Sequence, residues 1–203
     1  MFETLMSKTF TLLSASLLFA YLGCLFSQNI FAKLLEIQDY SKIKTYNIVA
    51  IVINIIAFIV LMFTRKYMPW NMIFMGVFTF SSGFTLGLIT LVYGDIAKKA
   101  LSITVLTTFL TSMIAMYSGL DFAWLGKILF WALLGLIVVS IIGLFIKMKG
   151  KRIFAFFGVL IFTGYLLYDF SALSKAKQIA TANNWETALD FAINIYLDIV
   201  NLF

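Results

Sequence analysis

The amino-acid sequence predicts an all-α, polytopic membrane protein. Of its 203 residues, 63% are hydrophobic and only 12% are charged, whereas a soluble domain averages about 25% charged residues. Apolar runs of about 18–24 residues follow one another between short charged breaks. At about 1.5 Å per residue, such runs are long enough to cross a hydrocarbon core of about 30 Å. Helices are predicted because an open sheet leaves backbone polar groups unpaired in lipid.

Seven such runs account for nearly the whole chain. They predict a single seven-helix transmembrane domain over residues 1–203. The last helix is expected to be central, because the polar stripe of the last span would be intolerable against lipid. The predicted spans are residues 9–32, 46–64, 70–93, 100–118, 125–146, 153–172 and 186–203.

The first run is predicted to be a membrane span rather than a signal peptide. It follows Lys8, but its apolar stretch is longer than a typical h-region and has no clear small-residue cleavage site. Cys24 within it is interpreted as an ordinary small helical residue. Because it is the only cysteine, an intrachain disulfide is excluded.

The second run carries polar residues at Asn47 and Asn54 and ends at Arg65 and Lys66. Arg65 has two interpretations that the spacing leaves equally open. It is either a positively charged marker of topology whose side chain reaches the interface, or a counter-charge for buried carboxylates, which a guanidinium can grip in pairs.

The third, fourth and fifth runs indicate helix packing and topology rather than chemistry. Gly83 and Gly87 have the GxxxG spacing that allows two helices to approach closely.

After the fifth run comes the largest basic cluster, which is typical of a cytoplasmic loop beside anionic lipid. Its members are Lys147, Lys149, Lys151 and Arg152. Counted over all breaks, six basic residues against nine mildly favour an amino terminus outside.

The sixth and seventh runs each contain an aspartate, Asp169 and Asp198. A charged side chain at the bilayer centre costs about 2.5–3.5 kcal/mol on insertion scales, so such residues usually face a cavity, a partner or a proton. Two of them in successive helices suggest a pair, and we expect the two carboxyl groups to lie within hydrogen-bonding distance.

Polar residues of the seventh run share one helical face, because they recur every three or four positions. They are Thr187, Asp190, Asn194, Asp198 and Asn201. Hydrogen bonding to neighbouring helices is the favoured interpretation for the neutral members, although Asn194 and Asn201, with Asn54, are also candidates for a polar stripe along a pore. Asp190 lies in the first turns and is expected near the interface, whereas Asp198 is expected to be functional.

Several classes of function lose support from the sequence. With no histidine, imidazole metal sites and imidazole pH switches are excluded. No Walker, Rossmann, nucleophile-elbow or cysteine-rich ligand motif is present, so we predict neither an enzyme nor a cofactor. The net charge of +6 is spread over the breaks and does not form a nucleic-acid surface.

The C-terminal third resembles the Bax inhibitor-1 family, in its bacterial YccA/YetJ-like branch. Gly-Tyr-Leu-Leu-Tyr-Asp at 164–169 and Ile-Tyr-Leu-Asp-Ile-Val-Asn-Leu-Phe at 195–203 resemble that family's signature. Phe-Thr-Phe-Ser-Ser-Gly-Phe-Thr-Leu at 78–86, which follows Arg65, resembles its third span. Length, number of runs and basic composition also fit.

The resemblance implies a pH-sensitive calcium leak in the bacterial inner membrane, with the amino terminus inside. It implies that the aspartates at positions 169 and 198 sense protons, and that Arg65 closes against them as a latch. It also implies seven helices with the last near the centre of the bundle. Asn54 stands where some members carry an acidic residue of the second helix, which concerns ion selectivity rather than proton sensing.

Three hypotheses follow. The first is a proton-gated cation leak with calcium as a permeant ion. The second is an interaction protein that regulates a membrane protease or another membrane complex, in which case the polar stripe is structural. The third is a proton-coupled transporter of a small solute, which internal inverted repeats would favour; none is visible in the sequence.

Overall fold

The structure, a computed structural model, describes residues 4–145 and 151–203. All of the regular secondary structure in these residues is helical, which confirms the all-α part of the predicted fold class. The six α-helices are α1 (Leu5–Glu36), α2 (Tyr40–Thr64), α3 (Trp70–Tyr117), α4 (Leu125–Phe145), α5 (Lys151–Ala176) and α6 (Trp185–Leu202), and a 3₁₀ turn at Ala180–Ala182 precedes α6.

The predicted third and fourth runs lie in the same helix, α3. This helix is 48 residues long, and Gly94 within it has non-helical dihedral angles of φ 16° and ψ −88°. A kink at this glycine therefore divides α3 into two segments, which match the runs 70–93 and 100–118. The other five runs coincide with α1, α2, α4, α5 and α6, except that residue 146 lies outside the described residues, as do Lys147 and Lys149 of the basic cluster.

Five helices in the described part of the chain are long and apolar enough to cross a membrane. These are α1, α2, α3, Leu125–Gly143 of α4 and Arg152–Ala176 of α5. Helix α6 is not among them, since its 18 residues include Glu186, Asp190 and Asp198. The protein is an integral membrane protein by these helices, while the number of crossings stays a prediction.

Helix α6 differs from the others in its burial. Ala188, Leu189, Ala192, Ile193 and Ile195 are each 0% exposed. The other helices expose many large apolar side chains, as helices that face lipid do. The residues of α6 alternate between apolar and polar with a helical period, which gives the helix an apolar face. Because the residues of that face are fully buried, it is covered by protein.

Contacts divide the chain into two compact units. One comprises Met1–Ala100 and Asn184–Ile193, and the other comprises Leu101–Asn183 and Asn194–Phe203. Within the first unit α1 packs against α2, and within the second α4 packs against α5. The first half of α6 belongs to one unit and its second half to the other.

Short polar signals set the ends of the first two helices. Thr4 caps α1 by accepting a hydrogen bond from the Ser7 N–H at 3.2 Å, and Asp39 caps α2 by accepting one from the Lys42 N–H at 3.1 Å. Between these helices Gln38 has a φ of 56°, a left-handed conformation that ends α1 and reverses the chain.

A surface ion pair ties the segment before α4 to the end of α5. The Lys175 ammonium donates to the Asp121 carboxylate, which also accepts from the Ala123 N–H at 2.8 Å. The Lys175 hydrogen bond first, and then that of Ala123, hold the pKa of Asp121 below its ordinary value. Both groups are exposed, so this contact fixes a local geometry more than it stabilises the fold.

Glycines bring α1 and α3 into direct backbone contact. A Cβ atom added at Gly83 would overlap the carbonyl oxygen of Ala20, and one at Gly87 would overlap the Ser27 hydroxyl. On the opposite helix, a Cβ at Gly23 would overlap the Phe80 carbonyl. The GxxxG spacing at positions 83 and 87 is thus confirmed as a helix-packing motif.

We predict that Gly83→Ala destabilises the protein and Gly76→Ala does not. The new methyl at position 83 meets backbone, which cannot rotate away, so a cost of about 1–3 kcal/mol is expected. At Gly76, in the same helix, a Cβ has nothing within 4 Å. Thermal unfolding of both purified variants in detergent measures the difference, and equal midpoints would contradict the α1–α3 contact.

Candidate functional site

The structure brings together the two aspartates that the sequence singled out. Asp169 of α5 and Asp198 of α6 are each 6% exposed, and their side chains are hydrogen-bonded to each other. An ionised carboxylate can only accept a hydrogen bond. One of the two groups must therefore carry a proton for this contact to exist.

Helical periodicity explains why both carboxyl groups point into the protein. On α5, Leu166 and Leu173 lie three residues before and four after Asp169, and both are fully buried. On α6, Ile195 and Leu202 lie three before and four after Asp198, and both are buried. Each aspartate is the polar member of an otherwise apolar, inward-facing stripe.

One oxygen of the pair remains without a partner. The Oδ2 atom of Asp198 is buried and has no hydrogen-bond partner among the described residues. A buried acceptor left in this state is costly, by about 1–3 kcal/mol. It is therefore a place where a proton, a water molecule or a cation would be stabilised.

Tyr165 is a third member of the site, which the sequence reasoning missed. It lies near both Asp198 and Asp169. It lies one helical turn before Asp169, so the spacing of four residues was the signal that could have identified it. Packing of α5 against α4 supports this face, because a Cβ at Gly126 would touch the Tyr168 ring and one at Gly164 would touch Leu129.

Arg65, the predicted latch, forms an ion pair with Asp190 of α6. The Arg65 Nη1 and Asp190 Oδ1 atoms are 3.3 Å apart, and the side chains are 30% and 48% exposed. The ion pair is not reinforced by an oriented hydrogen bond between the two side chains. Among the described residues, neither Arg65 Nε nor Asp190 Oδ1 has a hydrogen-bond partner. A half-exposed pair of this kind contributes about 1 kcal/mol at most.

The backbone around Arg65 is held more firmly than its guanidinium. Buried Asn71 donates from Nδ2 to the Arg65 carbonyl at 2.8 Å, and Arg65 Nη2 lies 3.0 Å from the Met62 sulfur. The Arg65 backbone is thus fixed at the end of α2, whereas its guanidinium makes only weak contacts. Because Arg65 and the aspartate pair belong to different compact units, the latch stays a prediction.

Asn54 joins α2 to α3. Its Nδ2 atom lies 2.7 Å from the Ser82 hydroxyl, 3.1 Å from the Ser81 hydroxyl and 3.0 Å from the Phe78 carbonyl. The two amide protons are shared among these three acceptors. The amide group is therefore used in helix packing, and a pore-lining role for it stays a prediction.

The other two asparagines of the predicted polar stripe have different surroundings. Asn194 is half-buried, whereas Asn201 is exposed. The Asn201 Nδ2 atom donates to the Leu197 carbonyl of its own helix at 2.8 Å. In the part of the chain that the structure describes, no group of three or more acidic, histidine or cysteine side chains could hold a metal ion.

Comparison with known proteins extends the resemblance to the whole chain. Residues 3–203 match the protein family described as "Inhibitor of apoptosis-promoting Bax1". The chain belongs to the Bax inhibitor-1 family. Similar proteins occur in bacteria and in plants. The helices that are long and apolar enough to cross a membrane agree with this membership.

Three relatives illustrate the range. An uncharacterized protein of Helicobacter pylori (strain J99) is 29% identical over 203 residues, which cover 96% of this chain and 80% of the relative. An uncharacterized protein of Campylobacter jejuni is 30% identical, with 97% and 83% covered. Protein LIFEGUARD 1 of Arabidopsis thaliana is 32% identical over 149 residues, with 70% and 60% covered.

We predict that the shared proton of the aspartate pair is visible by infrared spectroscopy. A protonated carboxylic acid has a C=O stretching band that an ionised carboxylate lacks, and the band shifts in D₂O. This band should disappear in Asp169→Asn and in Asp198→Asn, because each leaves a single carboxyl group beside an amide that can donate to it. Asp190→Asn is the control and should retain the band. A band that survives in both pair variants would show that the proton lies elsewhere.

Proposed function

We propose that this protein is a pH-sensitive cation leak of the membrane, with calcium as a permeant ion and the Asp169–Asp198 pair as its proton sensor. The observation that carries the proposal is the hydrogen bond between the two carboxyl groups, each 6% exposed. Two carboxyl groups in contact bind and release protons as one coupled unit. A unit of this kind converts pH into a change of buried charge.

Proton loss from the pair has a large local effect. Two unit charges about 4 Å apart repel by about 4 kcal/mol at an effective dielectric of 20. The repulsion is relieved when the helices move apart or when a cation approaches. Because the protonated pair has no such repulsion, protons favour one arrangement of the helices over another.

The chemistry of the pair suits a divalent cation. Calcium binds carboxylate and other oxygen ligands, and the deprotonated pair offers four carboxylate oxygens, of which Asp198 Oδ2 has no hydrogen-bond partner among the described residues. Two carboxylates are too few for a resident calcium site. A transient stop for a permeating ion is therefore the role that we assign to them.

Arg65 completes the proposal as the latch. When both aspartates are ionised, its guanidinium bridges them and closes the path; protonation weakens that bridge. The observed Arg65–Asp190 contact of 3.3 Å supports this role in one respect, since its weak engagement leaves donors of Arg65, including Nε, available for another carboxylate.

The finer architecture belongs to the same proposal. Seven crossings result if the two segments of α3 each span the bilayer and if α6 is the seventh span, surrounded by the others. The fully buried residues of α6 support a protein-lined position for this helix. We place the amino terminus inside, in a bacterial inner membrane, and assign no enzymatic activity and no nucleic-acid partner.

Calcium flux into liposomes tests the sensor. Purified wild-type protein should give a flux that changes with pH, and both Asp169→Asn and Asp198→Asn should flatten that response. Asp95→Asn, which alters an exposed acid paired with Lys98 at 3.3 Å, is the matched control and should behave as wild type. Wild-type pH dependence in both pair variants would refute the pair as sensor. Absence of flux in every sample would favour the interaction protein, including a regulator of a membrane protease, over the leak.

A second flux experiment tests the latch. Arg65→Ala should raise the leak several-fold at neutral pH and flatten its response to acid, because no cation closes against the ionised pair. Arg65→Lys should restore closure only in part, since an ammonium lacks the two-pronged geometry. Lys66→Ala is the control for the loss of one positive charge at the same helix end. An unchanged neutral-pH leak in folded Arg65→Ala would make Arg65 a marker of topology alone.

A further inference from the structure

An open groove of about 750 Å³ runs between α1, α2 and α3. Its walls are almost wholly apolar and include Phe26 of α1, Val49 and Ile53 of α2, and Val77 and Phe80 of α3. The volume is within the range of about 300–1,000 Å³ that small-molecule sites occupy. All of the lining residues lie in helices that are long and apolar enough to cross a membrane.

The groove is built into the helix packing rather than left by a loose side chain. Two of its walls, α1 and α3, are in contact through Gly23 and Gly83, which prevents these helices from moving closer. Its other wall, α2, is fixed by the hydrogen bonds of Asn54 to Ser81 and Ser82. The Phe26 and Phe80 rings, which both line the groove, have centroids 6.2 Å apart.

The exposure of the lining residues indicates what fills the groove. Phe26, Val49, Ile53 and Val77 are each between 42% and 55% exposed in the protein alone. Side chains of this kind on membrane-spanning helices are covered by hydrocarbon. A flexible acyl chain fits a long apolar groove that opens along the sides of such helices.

Charges at one end of the groove favour a particular headgroup. Lys33 follows the lining residue Ile30 by three positions, and Lys42 precedes the lining residue Tyr46 by four. Each lysine is therefore on the groove side of its helix. Both lie where α1 ends and α2 begins. Lys42 is 2.8 Å from Asp39 and stays largely exposed. With the amino terminus inside, this end of the groove lies at the outer side of the membrane, where exposed ammonium groups attract a lipid phosphate by charge.

We propose that this groove binds one acyl chain of an anionic phospholipid, whose phosphate lies beside Lys33 and Lys42. The bound lipid fills space that neither α1 nor α3 can occupy, because their glycine contacts fix the spacing. This site is independent of the aspartate pair and of the leak.

Photo-crosslinking in nanodiscs tests the proposal. The full chain is reconstituted with a trace of phosphatidylglycerol that carries a diazirine on one acyl chain, and the adducts are mapped by mass spectrometry. We expect adducts concentrated on the groove segments of α1, α2 and α3. Gly76→Leu should cause a several-fold loss of these adducts, because position 76 lines the groove and a Cβ there meets nothing within 4 Å.

Matched variants separate filling of the groove from damage to the fold. Gly135→Leu introduces the same side chain in α4, at a glycine that also has open space, and should leave the adducts unchanged. Val77→Phe, a second filling variant, should reproduce the loss. Lys33→Gln with Lys42→Gln should reduce labelling by the phosphatidylglycerol probe relative to a phosphatidylcholine probe, whereas Lys127→Gln should not.

Three results would overturn the proposal. Adducts spread evenly over all lipid-exposed helices would show that the groove holds no lipid chain. Equal labelling by the anionic and zwitterionic probes would contradict the assigned headgroup. Groove residues that cross-link to a second copy of the chain, and not to lipid, would show that another protomer covers this face.

Discussion

Two carboxyl groups that share a proton inside an apolar helix pair set the main constraint on this protein. Asp169 and Asp198 each require a partner, because an unpaired carboxyl group is costly to bury among the apolar side chains that surround them. The shared proton satisfies part of that requirement and removes the repulsion between two charges. The same contact that makes the burial tolerable also makes the packing of α5 against α6 depend on protonation, which is the physical basis of the proposed gate.

Close contacts hold α1, α2 and α3 together within the first compact unit. Gly23, Gly83 and Gly87 fix α1 against α3 at backbone contact, and Asn54 fixes α2 against α3 through two serines. Arg65 stands at the end of α2, where Asn71 holds its backbone while its guanidinium makes one weak ion pair. Helices that are tied so closely are expected to move together as one body.

Much of this could be predicted from sequence because membrane insertion penalises polar groups individually. Apolar run length gave the positions of the helices, and the insertion cost of Asp169 and Asp198 identified them as a pair before any contact was known. The kink at Gly94 was different, since the charged residues after it predict a break between runs but not that one helix continues into the next through a single non-helical residue.

Partners that depend on tertiary approach could not be predicted. Arg65 pairs with Asp190, which is distant in sequence, and the polar spacing within each helix carries no information about which residue faces which. The groove was equally hidden, because apolar residues that line it and apolar residues that face lipid are alike in sequence. Tyr165 alone had a usable signal, its spacing of one turn from Asp169.

The central claim is that protonation of the pair and opening of the path are the same event, and one experiment measures both. The infrared carboxyl band and the calcium flux are recorded on the same proteoliposomes as a function of pH, for wild type and for Asp95→Asn. The account predicts that the pH midpoint of the band, assigned to the pair by its loss in Asp198→Asn, coincides with the pH midpoint of the flux. Two well-separated midpoints, or a flux that changes with pH while the band stays constant, would contradict it.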